Sequence, residues 1–277
     1  MKQVYTLFIL LFSSLSIAQT LPKMISEDDF SIGKRIEIKS TVLGENRILN
    51  IYLPNSYSGD SIFNYPVIYL FDGSKHEDFI HIAGLVQFGS YPWINMVPES
   101  IVVGIENVDR IKDFTYPTND KSVLEEAPTS GGSAKFMEYI EKEVQPFVNT
   151  KFRVTKDKTL IGQSLGGLLA TEILFKKPDL FDNYIIVSPS LWWDDESLLK
   201  YELKPFASPK KIYVGVGGKE HPIMQRVAFQ LYEKLINLEQ EDITLNVDRL
   251  TEKNHADPLH EAVYHAFEAF SKKEGDE

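Results

Sequence analysis

A doubly wound α/β sheet, mostly parallel and opened by an antiparallel N-terminal hairpin, is the architecture the sequence predicts. Three observations carry it. Short continuous apolar runs at residues 67–71, 101–105, 159–161, 184–187 and 212–216 suit strands buried on both faces of a parallel sheet. Helical patterns lie between them, so strand and helix alternate along the chain. The 277 residues, 43% apolar and 25% charged, have the size and balance of one large globular domain.

Residues 1–18 are expected to stand outside that domain. Lys2, an apolar stretch at 4–12, and Ser16-Ile17-Ala18 before Gln19 have the layout of a secretory signal peptide. The stretch is shorter than the roughly 20 residues needed to span a bilayer, and no later stretch is apolar enough to anchor the chain. No cysteine is present there to carry a lipid. The expectation is an exported protein, periplasmic or extracellular, with 19–277 as a single catalytic domain.

Residues 35–39 (RIEIK) and 48–53 (ILNIYL), joined by Gly44-Glu45-Asn46, read as the antiparallel hairpin. The five buried runs follow. Between the second and third lies 107–131, a long stretch of little periodicity after a strand carboxyl end, where open α/β sheets bind ligands. Phe136, Ile140, Val144 and Phe147 then fall on one helical face, with Ser133 as the expected cap. A further helix begins at Leu165. After a strand at 243–250, Asp257 as N-cap and Pro258 at the first helical position should open a final helix carrying Leu259, Val263, Phe267 and Phe270. No repeat, low-complexity tract or Pro/Gly/Ser linker marks a second domain.

Composition narrows the chemistry. Without cysteine there are no thiol nucleophiles, zinc-thiolate sites, iron–sulfur clusters or disulfides, so covalent catalysis falls to Ser, Thr, Lys or a carboxylate. A net charge of −11 argues against nucleic acid or an anionic membrane as the main partner.

Gly162-Gln163-Ser164-Leu165-Gly166-Gly167 is a G-x-S-x-G pattern. By chance such a pattern arises somewhere in a chain this long with a probability on the order of 0.1. Its position between a buried strand and a small-residue helix start is what a nucleophile elbow requires, with glycines expected two residues either side because side chains there would collide with neighbouring backbone. A plain strand-to-helix turn capped by Ser164 is the alternative.

A serine hydroxyl needs a base, and the base a carboxylate to orient it, in the chain order Ser, acid, His. That order excludes His76 and His81. His260 and His265, five residues apart in the last helix, are about 140° apart on the helical wheel and read as surface or boundary residues rather than a metal pair. His221 remains possible. His255 is the better base, in a loop between the last strand and the last helix. Glu220, in the turn after residues 212–216, is chosen as the acid, with Asp194, Asp195 and Glu196 as competitors and Asp248 or Asp257 as weaker ones. The Leu165 N–H at the helix start and the Gly73 N–H in the loop after residue 71 are the expected oxyanion donors.

These residues resemble the esterase-D-like group of α/β-hydrolases, and within it the siderophore (enterobactin-type) esterases. The resemblance covers roughly residues 36–270. It rests on YPVIYLFDG at 65–73, VGIEN at 103–107 with Asp109, Arg110 and Asp113, IGQSLGG at 161–167, SPSLWW at 188–193, and Asn254-His255. It implies the α/β-hydrolase fold, Ser164 as nucleophile and His255 as base. It also implies that Arg110 and Trp193 line the ligand site, a guanidinium holding carbonyl or phenolate oxygens and an indole stacking on a ring. The alternatives are an Arg110–Asp113 loop ion pair and a core Trp193. The expectation is a secreted serine carboxylic-ester hydrolase working without metal or cofactor on a siderophore lactone or on feruloyl or acetyl polysaccharide esters. An acyltransferase on the same scaffold and a catalytically silent ligand-binding homologue are the rivals.

Overall fold

Alternating residues near the N-terminus do form the hairpin: β1 (Lys34–Lys39) pairs antiparallel with β2 (Asn46–Tyr52). The structure is a computed structural model that describes residues 21–59 and 62–272. The expected signal peptide at 1–18 lies outside the described residues. The chain divides into two units, Met1–Ser31 and Ile32–Glu277. In the first, residues 21–31 are neither helix nor strand.

In the second unit the remaining strands are β3 (Tyr65–Leu70), β4 (Ile101–Ile105), β5 (Val154–Gln163), β6 (Asn183–Val187), β7 (Lys210–Gly217) and β8 (Ile243–Leu250). The sheet order is β1-β2-β4-β3-β5-β6-β7-β8, with β2 antiparallel to β4 and every pair from β4 to β8 parallel. Each apolar run singled out in the sequence lies in, or at the end of, one of these strands, because only a strand covered on both faces can use apolar residues at consecutive positions.

The helices are α1 (Phe79–Gly89), α2 (Arg110–Phe114), α3 (Lys121–Glu126), α4 (Ser133–Tyr139), α5 (Gln145–Lys151), α6 (Leu165–Lys176), α7 (Trp193–Glu196), α8 (Pro222–Ile236) and α9 (Leu259–Ser271). The two-residue period of the strands sorts the core into two layers. Tyr69, Val103, Leu160 and Ile186 point to one face, where they pack with Phe136, Val148, Leu168 and Val227 of α4, α5, α6 and α8. Ile68, Leu70, Val102, Ile161 and Ile185 point to the other, where α1 and α9 supply Ile82, Val86, Val263 and Phe267. α1 and α9, distant in sequence, are therefore neighbours on one face.

Two helix starts differ from expectation. Gly132, not Ser133, is the N-cap of α4; Ser133 is the first helical residue and its hydroxyl caps nothing. Pro258 holds the N-cap position of α9, and the Asp257 carboxylate turns back to accept the Asn254 N–H at 2.8 Å, stabilising the preceding turn. The face built on Phe136, Ile140 and Val144 is kept, but residues Ile140–Val144 form one π turn between α4 and α5. Pro146 has no N–H to give the Lys142 carbonyl, and a widened turn absorbs that loss.

Candidate active site

Three central strands end in strained backbone. Asp72, Ser164 and Ser188 follow β3, β5 and β6 and have φ of 52°, 58° and 44°. For residues with a Cβ such angles are costly, and they persist only where surrounding contacts hold them. Around Ser164 those contacts are plain. Its N–H donates to the Val187 carbonyl at 3.0 Å, and its own carbonyl accepts the Ser190 N–H at 3.0 Å, so β6 braces the elbow.

A Cβ at position 162 would lie 2.3 Å from the Gly166 carbonyl oxygen, which is why that position must be glycine. At Gly166 a Cβ would meet only ordinary contacts at 3.4 Å or more, so the crowding expected on both sides of Ser164 exists on one. Gly162→Ala is therefore expected to destabilise the fold by about 3 kcal/mol, measured by chemical denaturation, whereas Gly166→Ala should be much milder.

The elbow presents Ser164 Oγ 2.9 Å from His255 Nε2. On the far side of the ring His255 Nδ1 lies 2.7 Å from Glu220 Oε2. Glu220 is itself buried, and its Oε1 accepts from the Gly217 N–H at 2.7 Å and from the Ser188 hydroxyl. Burial pushes the Glu220 carboxyl up, but hydrogen bonds from His255, Ser188 and Gly217 outweigh it and leave its pKa below the ordinary value. The loop bearing His255 is pinned as well: Gln163 Nε2 donates to the His255 carbonyl at 2.7 Å, and the Ala256 N–H donates to Asn254 Oδ1 at 2.8 Å.

None of the other acids weighed for this position bonds to His255. Asp194 accepts from Thr118 Oγ1 at 2.7 Å, Asp195 pairs with Lys200, and Glu196 pairs with Arg226. Asp248 faces Tyr213 and His265, and Asp257 is committed to Asn254. His221 caps α8 by accepting the Ile223 N–H at 3.3 Å.

The two backbone donors fare differently. Leu165 opens α6, so its N–H has no acceptor within the helix and stands at the positive end of the dipole. The expected partner, Gly73, requires correction, because its N–H is spent on the Ile105 carbonyl at 3.1 Å. Position 73 is glycine for packing: a Cβ there would fall 2.3 Å from the Gly104 Cα on β4. The preceding N–H, that of Asp72, donates to no backbone carbonyl among the described residues.

Asp72 also settles where Arg110 points. The long stretch at 107–131 folds into α2 and α3, and Arg110 on α2 grips the Asp72 carboxylate with Nε at 2.7 Å and Nη2 at 2.8 Å, while Asn107 Nδ2 donates at 2.5 Å. The Arg110–Asp113 pair is absent, since Asp113 is bound by the buried Arg47 at 2.5 Å. Arg110 thus joins Asp72, Glu77, Asp78 and Gln163 around an open depression of about 410 Å³ that exposes Ser164 and His255. A second hollow of about 280 Å³, lined by Pro66, Thr159, Asn183 and Lys211 among others, lies at the amino ends of the strands and includes neither Ser164 nor His255.

Trp193 does not line the depression. It is buried at 2% exposure and its indole N–H donates to the Tyr116 carbonyl at 2.9 Å, so it ties the segment after β6 to the segment after α2. Trp193→Phe is accordingly expected to cost about 1–2 kcal/mol of stability by orphaning that carbonyl, with KM for ester substrates unchanged. Sequence reasoning missed Ser188, Asp72 and Gln163. The first two stand just past a strand end, where open α/β sheets place ligand-binding residues, and that position was the signal for them.

The Esterase family model, described as "Putative esterase", matches residues 40–272. The chain belongs to this esterase family. The esterase is 29% identical over 236 residues to ferri-bacillibactin esterase BesA of Bacillus subtilis, covering 78% of this chain and 82% of that one. Its fold is similar to that of the BES protein from Bacillus cereus, with a TM-score of 0.79 at 27% identity, covering 91% of this chain and 100% of that one. It is similar also to an IroE-like serine hydrolase from Shewanella oneidensis, with a TM-score of 0.76 at 27% identity, covering 85% of this chain and 79% of that one. The esterase is a carboxylic ester hydrolase of the α/β-hydrolase fold.

Proposed function

We propose that the esterase is an exported serine hydrolase that cleaves the lactone esters of a siderophore through a Ser164–His255–Glu220 triad. The observation that carries the reading is the unbroken hydrogen-bonded chain from Ser164 Oγ through both nitrogens of His255 to a buried carboxylate. Ser164 Oγ attacks the ester carbonyl carbon while His255 Nε2 takes its proton, and Glu220 holds the imidazolium that forms. The oxyanion is held by the N–H of Leu165 and, in place of Gly73, that of Asp72. Collapse expels the alcohol, which takes the proton from His255. Water then attacks the acyl carbon and gives a proton to His255, and as the bond to Ser164 breaks His255 returns that proton to Oγ and the acid leaves.

Support for a siderophore ester comes from two sources. A relative aligned over 78% of the chain is named for one, and Arg110 has guanidinium donors left over from Asp72 that suit carbonyl or phenolate oxygens. The residues expected to form a signal peptide support export.

The test is product analysis with three ester classes: a catecholate trilactone siderophore with and without iron, a feruloylated xylan fragment, and an acetylated one. Ring opening of the trilactone, faster than turnover of the polysaccharide esters, is expected. Preference for either polysaccharide ester would move the substrate there. Ester products in the presence of an added alcohol would favour acyl transfer, and binding of the trilactone with no turnover would favour a silent homologue. N-terminal sequencing of protein recovered outside the cytoplasm should begin at Gln19.

A further inference from the structure

Outside the Ser–His–Glu chain, one side-chain cluster has ligands but no use so far. His81 lies on the first turn of α1, three residues after Asp78 at its N-cap, so both face the same way. His260 is the second residue of α9. Because α1 and α9 pack on the same face of the sheet, His260 Nε2 comes 2.7 Å from His81 Nδ1, with ring centroids 4.4 Å apart. A carboxylate oxygen of Asp78 and the two imidazole nitrogens all lie within 4.8 Å of one another. The Asp78 carboxylate caps no helix N–H and makes no ion pair among the described residues. The guanidinium that acts on it, Arg110, is held by Asp72, and Lys253, which acts on His260, is paired with Glu261 at 3.0 Å.

We propose that Asp78, His81 and His260 form a site for a divalent transition-metal ion, Zn²⁺ by preference. Two imidazoles and one carboxylate are a donor set suited to Zn²⁺, and three protein ligands leave a fourth vertex for water, which the exposed His81 edge admits. With Zn–N bonds near 2.0–2.1 Å, a tetrahedral ion holds its nitrogens about 3.3 Å apart. The imidazoles therefore need to part by only a fraction of an ångström, within the reach of small side-chain rotations. The ion has a structural consequence. Asp78 follows the loop that contains Asp72, and His260 follows the loop that contains His255, so one metal clips together the two loops that flank Ser164. The inference does not depend on which ester is cleaved.

The experiment uses the full mature chain, stripped with chelator and titrated with Zn²⁺ by calorimetry. Binding of one equivalent at micromolar affinity or tighter is expected, with Tm rising by about 5 °C or more at excess metal. His81→Ala and His260→Ala should each weaken binding about 100-fold while keeping esterase turnover and the native circular dichroism spectrum. Cu²⁺ in the same site should show nitrogen couplings from two imidazoles by paramagnetic resonance. His255→Ala should bind Zn²⁺ as the wild type does. Absence of saturable binding below about 100 μM Zn²⁺ overturns the proposal. So does binding that survives His81→Ala but is lost in His255→Ala, which would place the ion on the Ser164 base.

Discussion

Ser164→Ala is expected to lower kcat by about 10⁶-fold and to abolish labelling by a fluorophosphonate probe, with the fold retained. The size of the effect follows from the geometry. Ser164 Oγ is the group placed 2.9 Å from His255 Nε2, and the nearby Ser190 hydroxyl, 3.4 Å from Ser164 Oγ, bonds to no ring nitrogen of His255. Removing Oγ leaves the backbone bracing by Val187 and Ser190 untouched. The strained φ of 58° is borne equally by alanine, so the unfolding midpoint should hardly move. Ester hydrolysis above background would then come only from oriented backbone donors. The measurement is steady-state hydrolysis of short p-nitrophenyl esters beside probe labelling. Turnover or labelling in Ser164→Ala close to wild type would end the serine mechanism for this esterase.

The second large effect is expected from Glu220→Gln, with kcat falling about 10³–10⁴-fold and KM little changed. Two donors, the Gly217 N–H and the Ser188 hydroxyl, meet at Oε1 and require an acceptor there. The glutamine carbonyl must therefore take that place, which turns the amide NH₂ toward His255 Nδ1. An NH₂ in that position donates to Nδ1 and forces the ring proton onto Nε2, where it faces Ser164 Oγ and cannot accept its proton. Asp194→Asn and Asp195→Asn, by contrast, should leave kcat within about twofold of wild type, since their carboxylates are bound elsewhere.

The same carboxylate makes a prediction about pH. Its folded pKa is depressed below the ordinary 4.5, so its ionised form stabilises the fold above that value, and the contribution is lost as pH falls through the lowered one. The difference in Tm between wild type and Glu220→Gln should thus be constant near neutrality and shrink in acid. A difference that grew as pH fell from 5 to 3 would mean that the carboxyl is held neutral rather than ionised.

Most of the sheet is legible in the chain. A buried parallel strand announces itself by consecutive apolar residues, and β4 spans the same residues that the pattern marks; the half-buried edge strand β8 also keeps its expected bounds. Ser164 is legible because a nucleophile elbow is local: strand, strained turn and helix are contiguous, and Gly162 is required by a backbone atom only four residues away. His255 and Glu220 could be chosen by chain order and by their position past strand ends. Helix starts were less legible: Asp257 and Ser133 have the right chemistry for caps, but Asp257 turns back to Asn254 and Ser133 stands one residue inside its helix.

What no local pattern holds is which donors remain free once the chain has folded. Gly73 looks like an oxyanion donor until β4 arrives beside it and takes its N–H. Trp193 looks like a ligand platform until the Tyr116 carbonyl, 77 residues away in sequence, claims its indole. Arg110 could have paired with Asp113, but Arg47 reaches Asp113 across the fold and leaves Arg110 to Asp72. His81 and His260 are 179 residues apart and meet only because α1 and α9 cover the same face of the sheet. The sheet was thus determined by residue type and short-range period, and the candidates for nucleophile and base by a local motif and chain order, all of which the chain carries in its sequence. The hydrogen-bond partners around the depression were decided by packing, because a donor or cation is spent on whichever acceptor the tertiary structure brings closest.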